Sequence, residues 1–171
     1  MSAYQRIRHQ QSLRQAEGYL ELGMAEHALT ALAHYGDPGS WPAEAHYLQG
    51  EALKELGNYR AAVDPLRQAA DETPDNIHAW LSLGWCYKRL GRIDLAVQSL
   101  EEALEADPSQ AIVHYNLACY WSLAGNKRQA LMYLSQAMDL EPDYRDLVGS
   151  EPDFDQIRTD PAFQALTSVI V

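Results

Sequence analysis

The side chains best able to do chemistry in this sequence are histidines and cysteines. No two of the histidines have the spacing of a metal-ligand pair; they are His9, His27, His34, His46, His78 and His114. Cys86 and Cys119 are too few for a disulfide framework, which favours a reducing, cytoplasmic compartment. Cys119 becomes a nucleophile only if its surroundings lower its pKa, and we expect a small buried side chain instead.

Catalytic motifs are missing as well. The sequence contains no glycine-rich phosphate loop, no G-x-S-x-G and no H-E-x-x-H. We therefore predict a protein that is not an enzyme and needs no metal or cofactor. The net charge of -11 argues against nucleic acid or a membrane as the main partner, because phosphates and anionic lipids repel an acidic chain. No apolar segment approaches the length of a membrane span, and 47% hydrophobic residues are typical of a globular protein.

A spacing of 34 residues organises the chain. It separates two series of residues, Gly23, Gly57, Gly91 and Gly125, and Pro74, Pro108 and Pro142. The unit that shows the pattern best is 77–110, in which the spaced residues are Trp80, Leu83, Gly84, Tyr87, Ala96, Leu100 and Pro108. Apolar residues along Asp94–Glu105 have the helical period, and no stretch alternates as a strand would.

Unit 77–110 resembles the tetratricopeptide repeat, whose signature is W-x2-L-G-x2-Y…A-x3-F…P, with Leu100 in place of Phe. The resemblance implies an all-α, right-handed α-solenoid of helix-turn-helix repeats. We predict four repeats, at 9–42 (degenerate), 43–76, 77–110 and 111–142. Residues 143–171 then form a C-terminal cap of short helix, turn and helix, similar to the D-P-D-F-x-x-L-R-x-D-P-x-F tail that ends bacterial proteins of this family.

Local signals refine this outline. The spaced glycines should end the first helix of each repeat, and Asp75 and Ser109 should cap the helices that follow the prolines. Pro65 predicts a kink or a missing hydrogen bond near Ala61. The turn-rich residues 35–42 predict either a longer linker or a flexible loop that grips a partner.

The resemblance also implies that the first helices of the repeats line a concave groove. The groove residues that it assigns are Leu13, Glu17, Tyr47, Glu51, Lys54, His78, Leu81, Trp85, Lys88, Arg89, Tyr115 and Cys119. Large aromatics and arginine are the usual anchors of protein interfaces. The alternative is that Trp85 and Tyr115 pack against neighbouring helices or the C-terminal tail, with residues 169–171 filling part of the groove.

Charge in the groove is divided. Glutamates dominate the first two repeats, also at Glu21, Glu44 and Glu55, whereas Lys88 and Arg89 lie in the third. A complementary partner would be basic at one end and acidic near Lys88 and Arg89.

We predict a non-catalytic adaptor that binds a peptide or helix of another protein in this groove. A dedicated chaperone for secreted substrates, such as those of type III secretion, is the alternative function. A homo-oligomer that uses Met132 and Tyr133 is a further possibility.

Overall fold

The structure is a computed structural model that describes residues 3–36 and 38–168. All regular structure in these ranges is helical. The helices are α1 (Ala3–Glu21), α2 (Ala25–Ala33), α3 (Ala43–Glu55), α4 (Tyr59–Glu72), α5 (Ile77–Arg89), α6 (Ile93–Ala106), α7 (Ala111–Leu123), α8 (Lys127–Leu140), α9 (Tyr144–Val148) and α10 (Pro161–Thr167). Short 3-10 turns lie at Pro38–Ser40 and Pro152–Phe154, and we call the second of these the cap turn.

The first eight helices pack as four consecutive pairs that stack on one another. Each odd-numbered helix from α1 to α7 contacts its own partner, and α3, α5 and α7 also contact the pair before them. The first helices contact each other from α1 to α3 and from α3 to α5, so they form one side of the stack. The predicted all-α solenoid with a C-terminal capping helix is confirmed.

The buried side chains of the core recur with the 34-residue spacing of the sequence. Four leucines spaced by 34 residues are almost completely buried in the second helices, and an alanine four residues before each leucine is fully buried; they are Leu32, Leu66, Leu100 and Leu134 with Ala28, Ala62, Ala96 and Ala130. Since alanine adds little volume, the two helices of a pair can approach closely around each leucine.

Glycine ends the first helix of each pair. The glycines at 23, 57, 91 and 125 have φ angles between 68° and 75°, which is the left-handed region that suits glycine. After Gly57, for example, the amide of Asn58 donates to the carbonyl of Leu53 at 2.8 Å, which closes a Schellman motif.

The predicted N-caps at Asp75 and Ser109 are wrong. The side chain of Asn76, one residue later, accepts from the amide of His78 and caps α5. No side-chain cap bond begins α7, and the carboxylate of Asp107 instead accepts from the amide of Ser109 at 3.0 Å. Asp75 and Ser109 each lie one residue before the N-cap position of the next helix, which is Asn76 for α5 and Gln110 for α7.

Two irregular stretches are absorbed by the fold. Helix α4 continues through Pro65, and the carbonyl of Ala61 loses its usual bond because proline has no amide hydrogen. In the loop after α2, Trp41 is buried, donates to the carbonyl of Gly36 at 3.1 Å, and packs against Tyr35 and His46. The described part of this loop therefore belongs to the N-terminal core and is not a free arm.

The C-terminal cap is held together by Arg158 and Asp160. The Arg158 guanidinium donates to the carbonyls of Val148, Gly149 and Glu151. Asp160 accepts from two amides at the start of α10 and is its N-cap. Residues 169–171, for which the sequence left open a place in the groove, lie outside the described residues.

Candidate functional site

The groove face of α7 is covered by the cap of the same chain. Tyr115 stacks on Tyr144, with ring centroids 4.7 Å apart, and meets the edge of Phe154 at 5.9 Å. Ser122 Oγ donates to the carbonyl of Asp153 at 2.7 Å. Tyr115 and Cys119 are consequently buried, and the cap turn takes the place that we predicted for a partner.

Lys88 also has a partner within the chain. Its ammonium group pairs with the Asp153 carboxylate, and the two side chains are only 18% and 12% exposed. The same ammonium lies 5.2 Å from the Trp85 ring centroid and 5.8 Å from that of Tyr120. The acidic group that we expected opposite Lys88 is therefore supplied by the cap turn.

Arg89 turns towards the second helix of the preceding repeat. Its guanidinium carbon lies 5.2 Å from the ring centroid of Tyr59, a cation–π contact at the start of α4. Arg89 remains exposed, but this contact directs its charge to Tyr59 and away from Lys88.

A polar bridge ties α3 to α5. Lys54 Nζ lies 2.8 Å from both carboxylate oxygens of Glu51 and also donates to Ser82 Oγ on α5 at 2.8 Å. On the same helix, the pKa of Tyr47 is raised to about 12, mainly by burial and secondly by the charge of Glu51. Lys54 and Glu51 thus neutralise each other, and Tyr47 stays protonated at any ordinary pH.

Open surface remains along α1, α3 and α5. Trp85 is 41% exposed, His78 and Glu17 are exposed, and Leu81 is partly exposed. Leu13, by contrast, is buried in the N-terminal core and is not available to a partner. The predicted groove therefore divides into an open stretch and a covered end, a division that repeat position alone does not reveal.

His46 and His114 are buried, and His114 makes the same kind of bond that Trp80 makes one repeat earlier. Trp80 Nε1 donates to the carbonyl of Pro74 at 3.0 Å. One repeat later, His114 Nε2 lies 2.8 Å from the carbonyl of Pro108 and donates to it, since a carbonyl only accepts. His114 therefore anchors its helix in the manner of Trp80, and His46 is buried against Trp41.

Both cysteines are free, buried thiols. Burial raises the pKa of Cys86 to about 11, and burial with the nearby carboxylates of Glu151 and Asp153 raises that of Cys119 further. Donor atoms of Cys119, Glu151 and Asp153 lie within 4.8 Å of one another. A divalent cation fits this cluster poorly, because Lys88 already neutralises Asp153 and the thiol favours its protonated form.

These thiols should be inert in the folded protein. At pH 8, we expect Cys86 and Cys119 to react with Ellman's reagent at least ~100-fold more slowly than in urea-unfolded chain, because the thiolate is the reactive form and both sulfurs are buried. The check is the time course of absorbance for native and unfolded protein. Equal rates would contradict the burial of both groups.

The raised pKa of Cys86 also makes the free energy of unfolding depend on pH. The folded-state pKa of Cys86 is raised from its ordinary value of 9.0 to about 11, so the native state holds this proton more tightly than the unfolded state. The resulting stabilisation is complete below pH 9 and is lost as the pH rises towards 11.

The stack of four helix pairs defines a protein of the repeat-solenoid class. The sequence profile of the tetratricopeptide repeat family matches residues 13–77, 47–111 and 81–121. The chain therefore belongs to the tetratricopeptide repeat family. No curated protein matches it. None of the helices in the described part of the chain has the length and hydropathy needed to cross a bilayer.

Solved structures with this fold include MamA and YrrB. A MamA crystal structure has a TM-score of 0.74 and 22% identity, covering 81% of each chain. MamA from Desulfovibrio magneticus RS-1, residue 41 to its end, has a TM-score of 0.77 and 21% identity over 93% of this chain and 89% of that one. YrrB, described as having an unusual peptide-binding site, has a TM-score of 0.71 and 23% identity over 79% and 70%. At these identities the likeness shows the fold alone.

Proposed function

We propose that this protein is a non-catalytic interaction module that binds a peptide or helix of another protein along the open part of its groove, formed by α1, α3 and α5. Its repeats belong to a family of interaction modules, and YrrB, with the same fold, is described by its peptide-binding site. A stack of helix pairs offers an extended surface for such a segment.

The observation that carries this proposal is the exposure of Trp85. Its equivalents one repeat away on either side are Glu51 and Cys119, so the fold does not require a large aromatic at this position. The Trp85 ring lies 5.2 Å from the Lys88 ammonium, yet 41% of the side chain remains exposed on a helix that lines the proposed groove. Tryptophan is among the residues that contribute most to binding when a partner covers them.

Replacing Trp85 by alanine should weaken partner binding while the fold persists. We expect at least a tenfold loss of affinity, about 1.4 kcal/mol or more, because the partner loses its largest apolar contact. The measurement is affinity capture from the source cell with quantitative mass spectrometry, followed by titration of the captured protein.

Met132→Ala provides the matched control. Met132 is 42% exposed and lies on α8, a second helix of its pair, so its truncation removes a similar amount of exposed apolar surface outside the groove. Retained capture by Trp85→Ala, or equal loss in both variants, would contradict the groove assignment.

A further inference from the structure

We propose that the open part of the groove selects a basic segment of another protein, one that sets lysines or arginines against α1 and α3 and an apolar side chain against Trp85. This inference rests on the proposed function and adds the chemical class of the partner. It follows from a comparison of the charged groove side chains that already have a partner within the chain with those that form no ion pair.

The lysines and the arginine of the groove are all engaged within the chain. Lys54 pairs with Glu51, Lys88 pairs with Asp153 of the cap turn, and Arg89 lies over the ring of Tyr59. An acidic group of a partner would have to break a partly buried ion pair to reach either lysine, whereas Arg89 is exposed and takes part in none of the ion pairs among the described residues. The acidic end that the sequence predicted for a partner is therefore disfavoured at Lys88.

The glutamates of the groove are not neutralised in this way. Four exposed carboxylates on α1 and α3 take part in none of the ion pairs among the described residues; they are Glu17, Glu21, Glu44 and Glu55. Each of these carboxylates attracts a nearby cation, and salt weakens the attraction because the groups face solvent. Exposed Arg6 and Arg14 on α1 partly offset Glu17 and Glu21, so the attraction for a basic segment is strongest over α3, where Lys54 is already paired with Glu51.

The cap turn sets the limit of this surface. It covers Tyr115 and Cys119 on α7 and brings Glu151 and Asp153 to the end of the groove. A bound segment therefore lies over α1, α3 and α5. The Glu151 carboxylate adds to the negative potential that it meets, whereas Asp153 is already neutralised by Lys88. Trp85, beside the Lys88–Asp153 pair, is the apolar contact nearest to that end.

The test lets the protein choose its own ligands. A displayed library of random 16-residue peptides is selected on the immobilised full chain, and affinities of the enriched peptides are measured by fluorescence anisotropy. The groove variant carries Glu17→Lys, Glu44→Lys and Glu55→Lys. The matched control carries Glu101→Lys, Glu102→Lys and Glu105→Lys, three exposed residues of α6, and changes the net charge by the same amount. Thermal unfolding of all variants verifies that they fold, and Glu→Gln versions replace any that do not.

We expect the enriched peptides to carry an excess of lysine or arginine together with aromatic or aliphatic residues. The groove variant should bind them at least tenfold more weakly and the α6 variant less than threefold more weakly, and higher salt should reduce the difference. Equal losses in the two variants would mean a general effect of net charge and would overturn the proposal.

Other outcomes separate the inference from the function on which it rests. Enriched peptides without basic residues, whose binding is lost in Trp85→Ala, would overturn the charge inference and leave the groove function standing. Absence of enriched peptides, or binding insensitive to Trp85→Ala, would count against the proposed function itself. Self-association of the protein that the groove variant abolishes would identify a second copy as the occupant and overturn the proposal.

Discussion

Replacing Phe154 by alanine is expected to lower the free energy of unfolding by about 3–5 kcal/mol, since it removes a large ring from a fully enclosed site. Phe154 is 0% exposed and lies between Tyr115, at 5.9 Å, and Phe163 of α10, at 5.6 Å between ring centroids. The Phe154 ring contacts both the last repeat and the last helix. For a chain of this size the loss corresponds to a fall in Tm of about 6–20 °C.

The loss of Phe154 should also have a local effect. In a stacked repeat protein an end unit can loosen before the rest, and the cap turn is what covers Cys119. Phe154→Ala should therefore increase the reactivity of the Cys119 thiol at temperatures at which the helical circular dichroism signal is still intact.

Leu147→Ala is the control for this prediction. Leu147 belongs to the same cap but is 52% exposed, so its truncation should change stability by less than about 0.5 kcal/mol. Unchanged Tm and continued protection of Cys119 in Phe154→Ala would show that the cap does not stabilise the last repeat.

The repeat could be predicted from the sequence because its signal is local and recurs. Each glycine ends a first helix because the chain must turn there, and each buried leucine occupies the same site in its helix pair. The same periodicity predicted which residues of α5 lie on one face. Identical physical constraints, repeated every 34 residues, leave a pattern that one sequence is enough to reveal.

The covering of α7 by the cap turn could not be predicted from the repeat. Tyr115 and Cys119 occupy groove positions of the fourth repeat, yet the cap turn buries them. The residues of that turn lie outside the repeat, so no register relates Asp153 to Lys88. The sequence nevertheless contained a signal for this contact. Lys88 was expected to face an acidic group, and Asp153 lies in the tail that was predicted to cap the last repeat.

The N-caps of α5 and α7 could not be predicted from the sequence either. A Ser or Asp after a proline is a common start for a helix, but whether its oxygen reaches an amide depends on one turn of backbone. Asn76 makes the bond that was expected of Asp75, whereas the expected bond of Ser109 is made by no side chain, because α7 begins without a side-chain cap.

The second large effect is expected from Gly50→Ala, which should destabilise the protein although alanine favours helices by about 1 kcal/mol over glycine. A methyl group at Gly50 would lie 2.4 Å from Cγ and 2.6 Å from Cδ2 of Leu66. Leu66 is fully buried, and its backbone nitrogen also lies 3.3 Å from the added methyl group. Overpacking of this kind costs about 1–3 kcal/mol and sometimes more, which outweighs the gain in helix propensity.

Gly18→Ala is the matched control, because Gly18 also lies inside a first helix but has no heavy atom within 4 Å of the added methyl. It should stabilise the protein by about 0.5–1 kcal/mol. Gly84→Ala should fall between the two, since its nearest contacts, the Ala96 carbonyl and Leu100, are 3.3 Å away. In urea titrations, the unfolding midpoint should be highest for Gly18→Ala, intermediate for Gly84→Ala and lowest for Gly50→Ala. A Gly50→Ala midpoint at or above that of the unaltered protein would mean that α3 and α4 separate easily, and that close helix contact at this glycine does not hold the second repeat together.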